Sequence, residues 1–292
     1  MSLFRSSSLR LLGLAAAVAL GEAACSGSTS PSTLLTQTQA ALLADGITFD
    51  AEGEISDATS TGGTAVYTDA PPVGGTSLSP QCTPTRSPAS PTDTDGDGVP
   101  DSVQVTLSNC ILTYGSTETD TLNGTIIFQD PTPTTLDHNV KRTYVNTQRV
   151  RFRSSAHSSE TWSGVRTMTR DSTALHSTAS NFTTSWVFPT GGTATNTRTW
   201  NSTFTADTPG SITADQTLPS GIWSISGTST WSSGGTTYNV SIATNALHYN
   251  ATCSSTPRFD SGSLTATVTL GTQTGTVTIS ASGCGVTHIT NS

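Results

Sequence analysis

Beyond residue 101 the chain alternates. Between residues 193 and 205 the odd positions are Thr193, Thr195, Thr197, Thr199, Asn201, Thr203 and Thr205, while the even ones include Trp200 and Phe204. A period of two sends successive side chains to opposite faces of a pleated strand, so one face is apolar and the other hydroxylated. Val103, Val105 and Leu107 repeat the texture, as do Phe182, Trp186 and Phe188, and Leu136, Val140, Tyr144, Val150 and Phe152 share even parity over a long stretch. Gly234-Gly235 reads as a hairpin turn between Ile222–Trp231 and a strand with Tyr238, Val240 and Ile242. Leu264, Ala266, Val268 and Leu270 precede a Gly271–Gly275 turn and a last strand with Val277 and Ile279. Strands joined by tight turns are antiparallel, because parallel pairing needs long crossovers. The pattern predicts about nine to eleven strands. The fold class is all-β: an antiparallel sandwich or a curled, partly closed, barrel-like sheet over one apolar interior, with a short N-terminal helix. Threonine-lined faces without aromatic girdles do not suit an outer-membrane barrel.

The N-terminus reads as an export signal over residues 1–24. Arg5 and Arg10 precede an apolar run, Leu11–Leu20, and the small-residue stretch Gly21-Glu22-Ala23-Ala24-Cys25 follows. Ten apolar residues span about 15 Å as a helix, short of a bilayer core of about 30 Å. Ala23-Ala24-Cys25 resembles a bacterial lipobox, which implies an acylated Cys25, a lipid-linked tether over residues 25–33 and a place in the cell envelope, at the outer membrane on its periplasmic or outer surface. Glu22 stands where lipoboxes carry an aliphatic residue, and Gly21-x-Ala23 offers an ordinary signal-peptidase site, which would make the protein secreted.

With Cys25 assigned to lipid, Cys82, Cys110, Cys253 and Cys284 remain, an even set in an oxidising compartment. Of the three pairings, Cys82–Cys110 and Cys253–Cys284 are preferred because each brackets a local unit. Residues 34–101 form a loop-rich segment opened by one short helix over Leu34–Ala44. Ten acidic residues stand there against Arg86 alone. Residues 102–292 form the β domain.

The most specific motif is Asp93-Thr94-Asp95-Gly96-Asp97-Gly98-Val99-Pro100-Asp101. Calcium takes six to eight oxygens, and Asp93, Asp95, Asp97 and Asp101 bring carboxylates at positions 1, 3, 5 and 9, with a carbonyl expected from Val99. Gly98 permits the sharp turn. The run resembles the repeat of thrombospondin type 3 modules and EF-hand-like loops of bacterial surface proteins, which implies Ca²⁺ as the cofactor. Gln104 replaces the bidentate Glu of a full EF-hand, and no helix pair flanks the loop. A static clamp of extracellular strength, roughly 10⁻⁴ to 10⁻³ M, is expected rather than a sensor.

Net charge is −8, which argues against nucleic acid as a partner. Eight of the twelve basic residues fall between Lys141 and Arg198, with only Glu160 and Asp171 among them. Arg149, Arg151 and Arg153 share odd parity and are expected on the outward face opposite Val150 and Phe152. There they form either a solvated strand face or a ridge for anions: acidic glycan, lipid headgroups, another envelope protein or the chain's own acidic segment. His138, His157, His176, His248 and His288 lack metal-ligand spacing and read as ordinary strand histidines. No nucleophile elbow occurs. The final segment, with Cys253, Ser261-Gly262-Ser263 and Gly283-Cys284-Gly285, is similar to the ends of uncharacterised β-rich envelope lipoproteins. Taken together, these features predict a non-enzymatic envelope lipoprotein with a structural or interaction role, stabilised by calcium. The alternatives are a carrier holding an apolar ligand in the curled sheet and, third, a glycan-active enzyme using a pair such as Glu160 and Asp171 near Trp162 and Trp186.

Overall fold

A computed structural model describes residues 34–57, 84–114, 118–153, 156–170, 174–189, 191–212, 218–253 and 257–292. The expected export segment, Cys25, the expected tether and Cys82 lie outside the described residues. One helix, α1 (Gln37–Asp57), precedes the strands β1 (Thr85–Ser87), β2 (Ser102–Tyr114), β3 (Glu118–Gln129), β4 (Val140–Arg153), β5 (Ala156–Arg170) and β6 (Ala174–Val187). These continue into β7 (Thr193–Ala206), β8 (Gly221–Ser233), β9 (Thr236–Tyr249), β10 (Phe259–Leu270), β11 (Gln273–Gly283) and β12 (Val286–Asn291). All twelve form one sheet in sequence order, each antiparallel to the next, and the sheet does not close. The three-residue β1 takes the number past the expected range, because so short a piece carries no alternation to read. The turn after β10 is Gly271-Thr272, and Gly275 already lies in β11, paired with Val268.

The sheet wraps round α1. The helix meets Trp186 on β6 and Trp231 on β8 through Gly46 and Tyr238 on β9 through Gln39, while Leu34, three residues before it, meets Gly275 on β11. Thr48 and Ala51 line a cleft with Leu247, Phe259, Leu264, Ile279 and Thr287. Contacts with strands from β6 to β12 are possible for one helix only if those strands curve about it. The cleft has room for about one water, so α1 fills this part of the interior.

The curvature has a local cause. Asn109, Asn146, Asn181 and Ala246 have φ of 50°, 48°, 47° and 46°, and each stands at a break in register, on β2, β4, β6 and β9. Glycines of positive φ face the last three on the neighbouring strands. A Cβ on Gly124 would lie 2.6 Å from the Asn146 carbonyl oxygen, one on Gly164 2.7 Å from Phe182 Cα, and one on Gly262 2.1 Å from the Ala246 carbonyl oxygen. Bulges and glycine kinks aligned across neighbouring strands bend a sheet sharply.

Each bulge also inverts the alternation. On β2 the buried series runs Val103, Val105, Leu107 and then Cys110; on β4 it runs Val140, Arg142, Tyr144 and then Thr147, Arg149. β6 passes from Leu175 and Ala179 to Phe182 and Trp186, and β9 from Ile242 to Leu247 and Tyr249. The even parity expected from Leu136 to Phe152 therefore does not hold. Leu136 is 71% exposed in the β3–β4 connection, and beyond Asn146 the odd residues of β4 face inward. Arg149 is buried rather than outward-facing.

The helix runs to Asp57, well beyond the expected Ala44. Thr36 caps it: its Oγ1 accepts the Gln39 N–H at 3.2 Å, and Gln39 Oε1 accepts the Thr36 N–H at 2.9 Å. This is a capping box. Leu43, Ile47, Asp50 and Glu54 recur at helical spacing and are all buried. The second half carries acids where an apolar stripe belongs and a glycine in mid-helix, so its pattern resembles a loop until its partners are known. Gly46 lets the helix approach closely, since a Cβ there would sit 2.7 Å from Trp231 Cζ3. Alanine favours a helix over glycine by about 1 kcal/mol, yet Gly46→Ala is expected to lower the melting temperature, because overpacking costs about 1–3 kcal/mol. An unchanged or higher melting temperature would contradict the seating of α1 against Trp231.

Candidate metal centre and charged interior

The loop from Thr92 to Asp101 leads directly into β2. Left-handed Gly96 (φ 76°) and Gly98 (φ 91°) fold it back on itself, a conformation that costs glycine little. Asp93 accepts the Gly96 N–H at 2.8 Å and the Gly98 N–H at 3.0 Å, Asp95 accepts the Asp97 N–H at 3.1 Å, and Asp97 accepts the Val99 N–H at 2.7 Å. These bonds bring one carboxylate oxygen from each of Asp93, Asp95 and Asp97 to within 4.8 Å of the others. That span suits a calcium ion, whose oxygen ligands lie about 2.3–2.6 Å from it. Val99 is buried.

Asp101 is engaged differently from the expected fourth carboxylate. Its oxygens accept the Thr94 N–H at 2.9 Å, the Thr94 hydroxyl at 2.7 Å and the Thr92 hydroxyl at 2.8 Å. These bonds, the Thr94 hydroxyl foremost, hold its pKa below the usual carboxylate value. Asp101 fastens the two ends of the loop together.

The β3–β4 connection closes over the loop. The His138 N–H donates to Asp97 Oδ2 at 2.6 Å, and its Nδ1 lies 2.5 Å from the Asp97 carbonyl oxygen. A carbonyl only accepts, so Nδ1 carries the proton. Asp130 is buried beside them, its N–H bonded to the Pro100 carbonyl at 3.1 Å. Burial raises the Asp130 pKa, the Thr132 N–H opposes the rise, and the charges of Asp97, Asp95 and Asp137 add to it. Sequence reading misses Asp130 and His138, because only the pairing of Ser102 with Gln129 sets residue 130 beside the loop exit.

Within the curl lies a second set of charges. Asp50 of α1 is 2.9 Å from Arg198 Nη1, and accepts from Thr184 Oγ1 and Asn196 Nδ2, each at 2.9 Å; Glu54 accepts from Ser202 at 2.6 Å. Burial pushes the Asp50 carboxyl up, while Arg198, Asn196 and Thr184 draw it back. Arg166 is pushed down to about 10 by burial, against the charge of Glu54, and stays cationic at neutral pH. Arg149 approaches Asp120 at 3.5 Å and Glu160 at 3.6 Å, and Arg151 approaches Glu160 at 3.2 Å. The expected outward ridge is thus an internal network as far as Arg149 and Arg151 go, reached through the bulge at Asn146; the Arg153 side chain lies outside the described residues. Arg198, by contrast, does meet the chain's own acidic N-terminal segment. Glu160 is held among arginines, and Asp171 lies outside the described residues.

Cys253 and Cys284 form a disulfide with Cα atoms 5.4 Å apart. Cys110 is buried and disulfide-bonded; its expected partner, Cys82, lies outside the described residues. His248, expected to be an ordinary strand histidine, is clamped between Asp260 (Nδ1–Oδ1, 2.7 Å) and Asp207 (Nε2–Oδ2, 2.9 Å).

In comparison with known proteins, no family model, no curated protein and no solved structure matches the chain. The reading of function therefore rests on its own residues.

Burial opposes a charge on His248, but the hydrogen bonds to Asp207 and Asp260 outweigh it and raise its pKa. A histidine whose pKa rises on folding adds stability below its unfolded value of about 6.5 and loses it as pH climbs through the folded value. The penalty of His248→Gln, read from urea midpoints, is therefore expected to be largest near pH 6 and to shrink by about pH 9. A penalty that grows with pH would show the clamp to be uncharged.

Proposed function

We propose that the chain is a non-enzymatic protein of the bacterial cell envelope, held at a membrane by acylated Cys25 and stiffened by calcium at Asp93, Asp95 and Asp97. Its role is structural or interactive. The observation that carries this reading is the cluster of three carboxylates within 4.8 Å, set where the loop becomes β2. A cation there neutralises charges that otherwise repel one another, and fixes the start of the first long strand. The helix within the curl favours a scaffold over a carrier, because α1 occupies space that an apolar cargo would need. Glu160, ringed by Arg149 and Arg151, has the surroundings of a structural carboxylate rather than of a proton donor to substrate.

Calcium is expected to raise the melting temperature of the full chain, and Asp95→Ala to abolish that rise. Equal melting in millimolar calcium and in chelator would remove the metal from the account. Cys25→Ser is expected to move the protein from the membrane fraction to the soluble fraction of a bacterial host. An unchanged distribution would rule out the lipid anchor.

A further inference from the structure

Asp130 follows the last residue of β3 and is 6% exposed. Its Oδ1 accepts the Thr132 N–H at 2.7 Å, whereas its Oδ2 is shut off from solvent and receives no hydrogen bond. Asp95 Oδ2 is likewise buried and without a donor. The bond from Asp130 N–H to the Pro100 carbonyl holds the residue against the loop exit, and His138, at the far end of the same connection, holds Asp97. Asp95 and Asp97 are near enough for their charges to act on Asp130.

A buried carboxylate oxygen with no donor is costly, and more so beside other carboxylates. A divalent cation relieves both terms: its charge offsets the repulsion, and water bound to it supplies the missing O–H. Asp130 is not among the three residues whose oxygens share the 4.8 Å span, so a bond to the ion itself is not assigned to it.

We propose that Asp130 completes the calcium centre by accepting a hydrogen bond from a water bound to the cation, so that the loop at 93–97 and the β3–β4 connection build the site jointly. This rests on the reading of Asp93, Asp95 and Asp97 as ligands. The cation then ties the segment before β2 to the connection between β3 and β4, and Asp130 is a positioning residue rather than a ligand.

The test is calorimetric titration of the full chain with Ca²⁺, comparing wild type, Asp95→Ala, Asp130→Asn and Asp130→Ser. Loss of such an outer partner weakens metal affinity by about 10- to 100-fold, and both Asp130 variants are expected to fall in that range. Because the substitutions remove a repelled charge, their melting temperatures in chelator are expected to match or exceed that of wild type. Wild-type affinity in either folded variant, with binding lost in Asp95→Ala, would overturn the role of Asp130 and leave the calcium reading standing. Absence of binding by the wild type itself would overturn both.

Discussion

The architecture depends on bending one antiparallel sheet far enough to surround a helix that carries buried acids. A regular pleated sheet twists but does not turn so tightly. Bulges at Asn109, Asn146, Asn181 and Ala246, the last three against Gly124, Gly164 and Gly262 on neighbouring strands, provide the bend. Every strand stays paired with its sequence neighbours, so the curvature is gained without breaking the ladder. The left-handed asparagines suit these points, since asparagine tolerates that conformation better than most residues.

The curl in turn dictates the interior electrostatics. Arginines on the inner face lie over aromatic rings: Arg142 over Phe128 at 5.5 Å, Arg166 over Phe182 at 4.7 Å, and Arg198 over Phe182 at 4.5 Å and Trp200 at 4.9 Å. Their charge is balanced partly by Asp50 and Glu54 from α1. Buried ion pairs add little net stability, but breaking one costs about 3–5 kcal/mol. A helix displaced by one turn would take Asp50 away from Arg198, Asn196 and Thr184 together. The pairs therefore fix where α1 sits more than how strongly it is held.

Much of this was legible in the sequence, within limits that have a physical cause. Alternation showed an antiparallel, all-β fold and left open whether it was a sandwich or a curled sheet, because period-two burial is a local property of each strand. The turn at Gly234-Gly235 and the pairing of Cys253 with Cys284 were readable for the same reason. Face assignment failed on β4, since one bulged residue at Asn146 exchanges inside for outside and leaves no mark that alternation can detect. The second half of α1 was misread because its buried acids make sense only beside Arg198 and Ser202, more than 140 residues away. At the candidate metal centre Asp93, Asp95 and Asp97 are brought together as their spacing implies. Asp101 turned to Thr92 and Thr94, whose side chains a ligand template ignores. Asp130 required knowledge of strand register.

The position of α1 also orders the assembly of the molecule in time. During synthesis from the N-terminal end, the helix segment emerges before the strands that cover it. Strands from β2 onward can zip neighbour to neighbour as they appear, but Arg198, which pairs with Asp50 at 2.9 Å, does not arrive until β7. The start of the helix is fastened last: Asn291 donates to the Leu35 carbonyl at 2.8 Å, while Ser292 pairs with Thr276. A nascent chain stalled short of β12 would hold its helix in an unfinished wrapper, open to water and to proteases. Fastening of the helix is thus coupled to the arrival of β12.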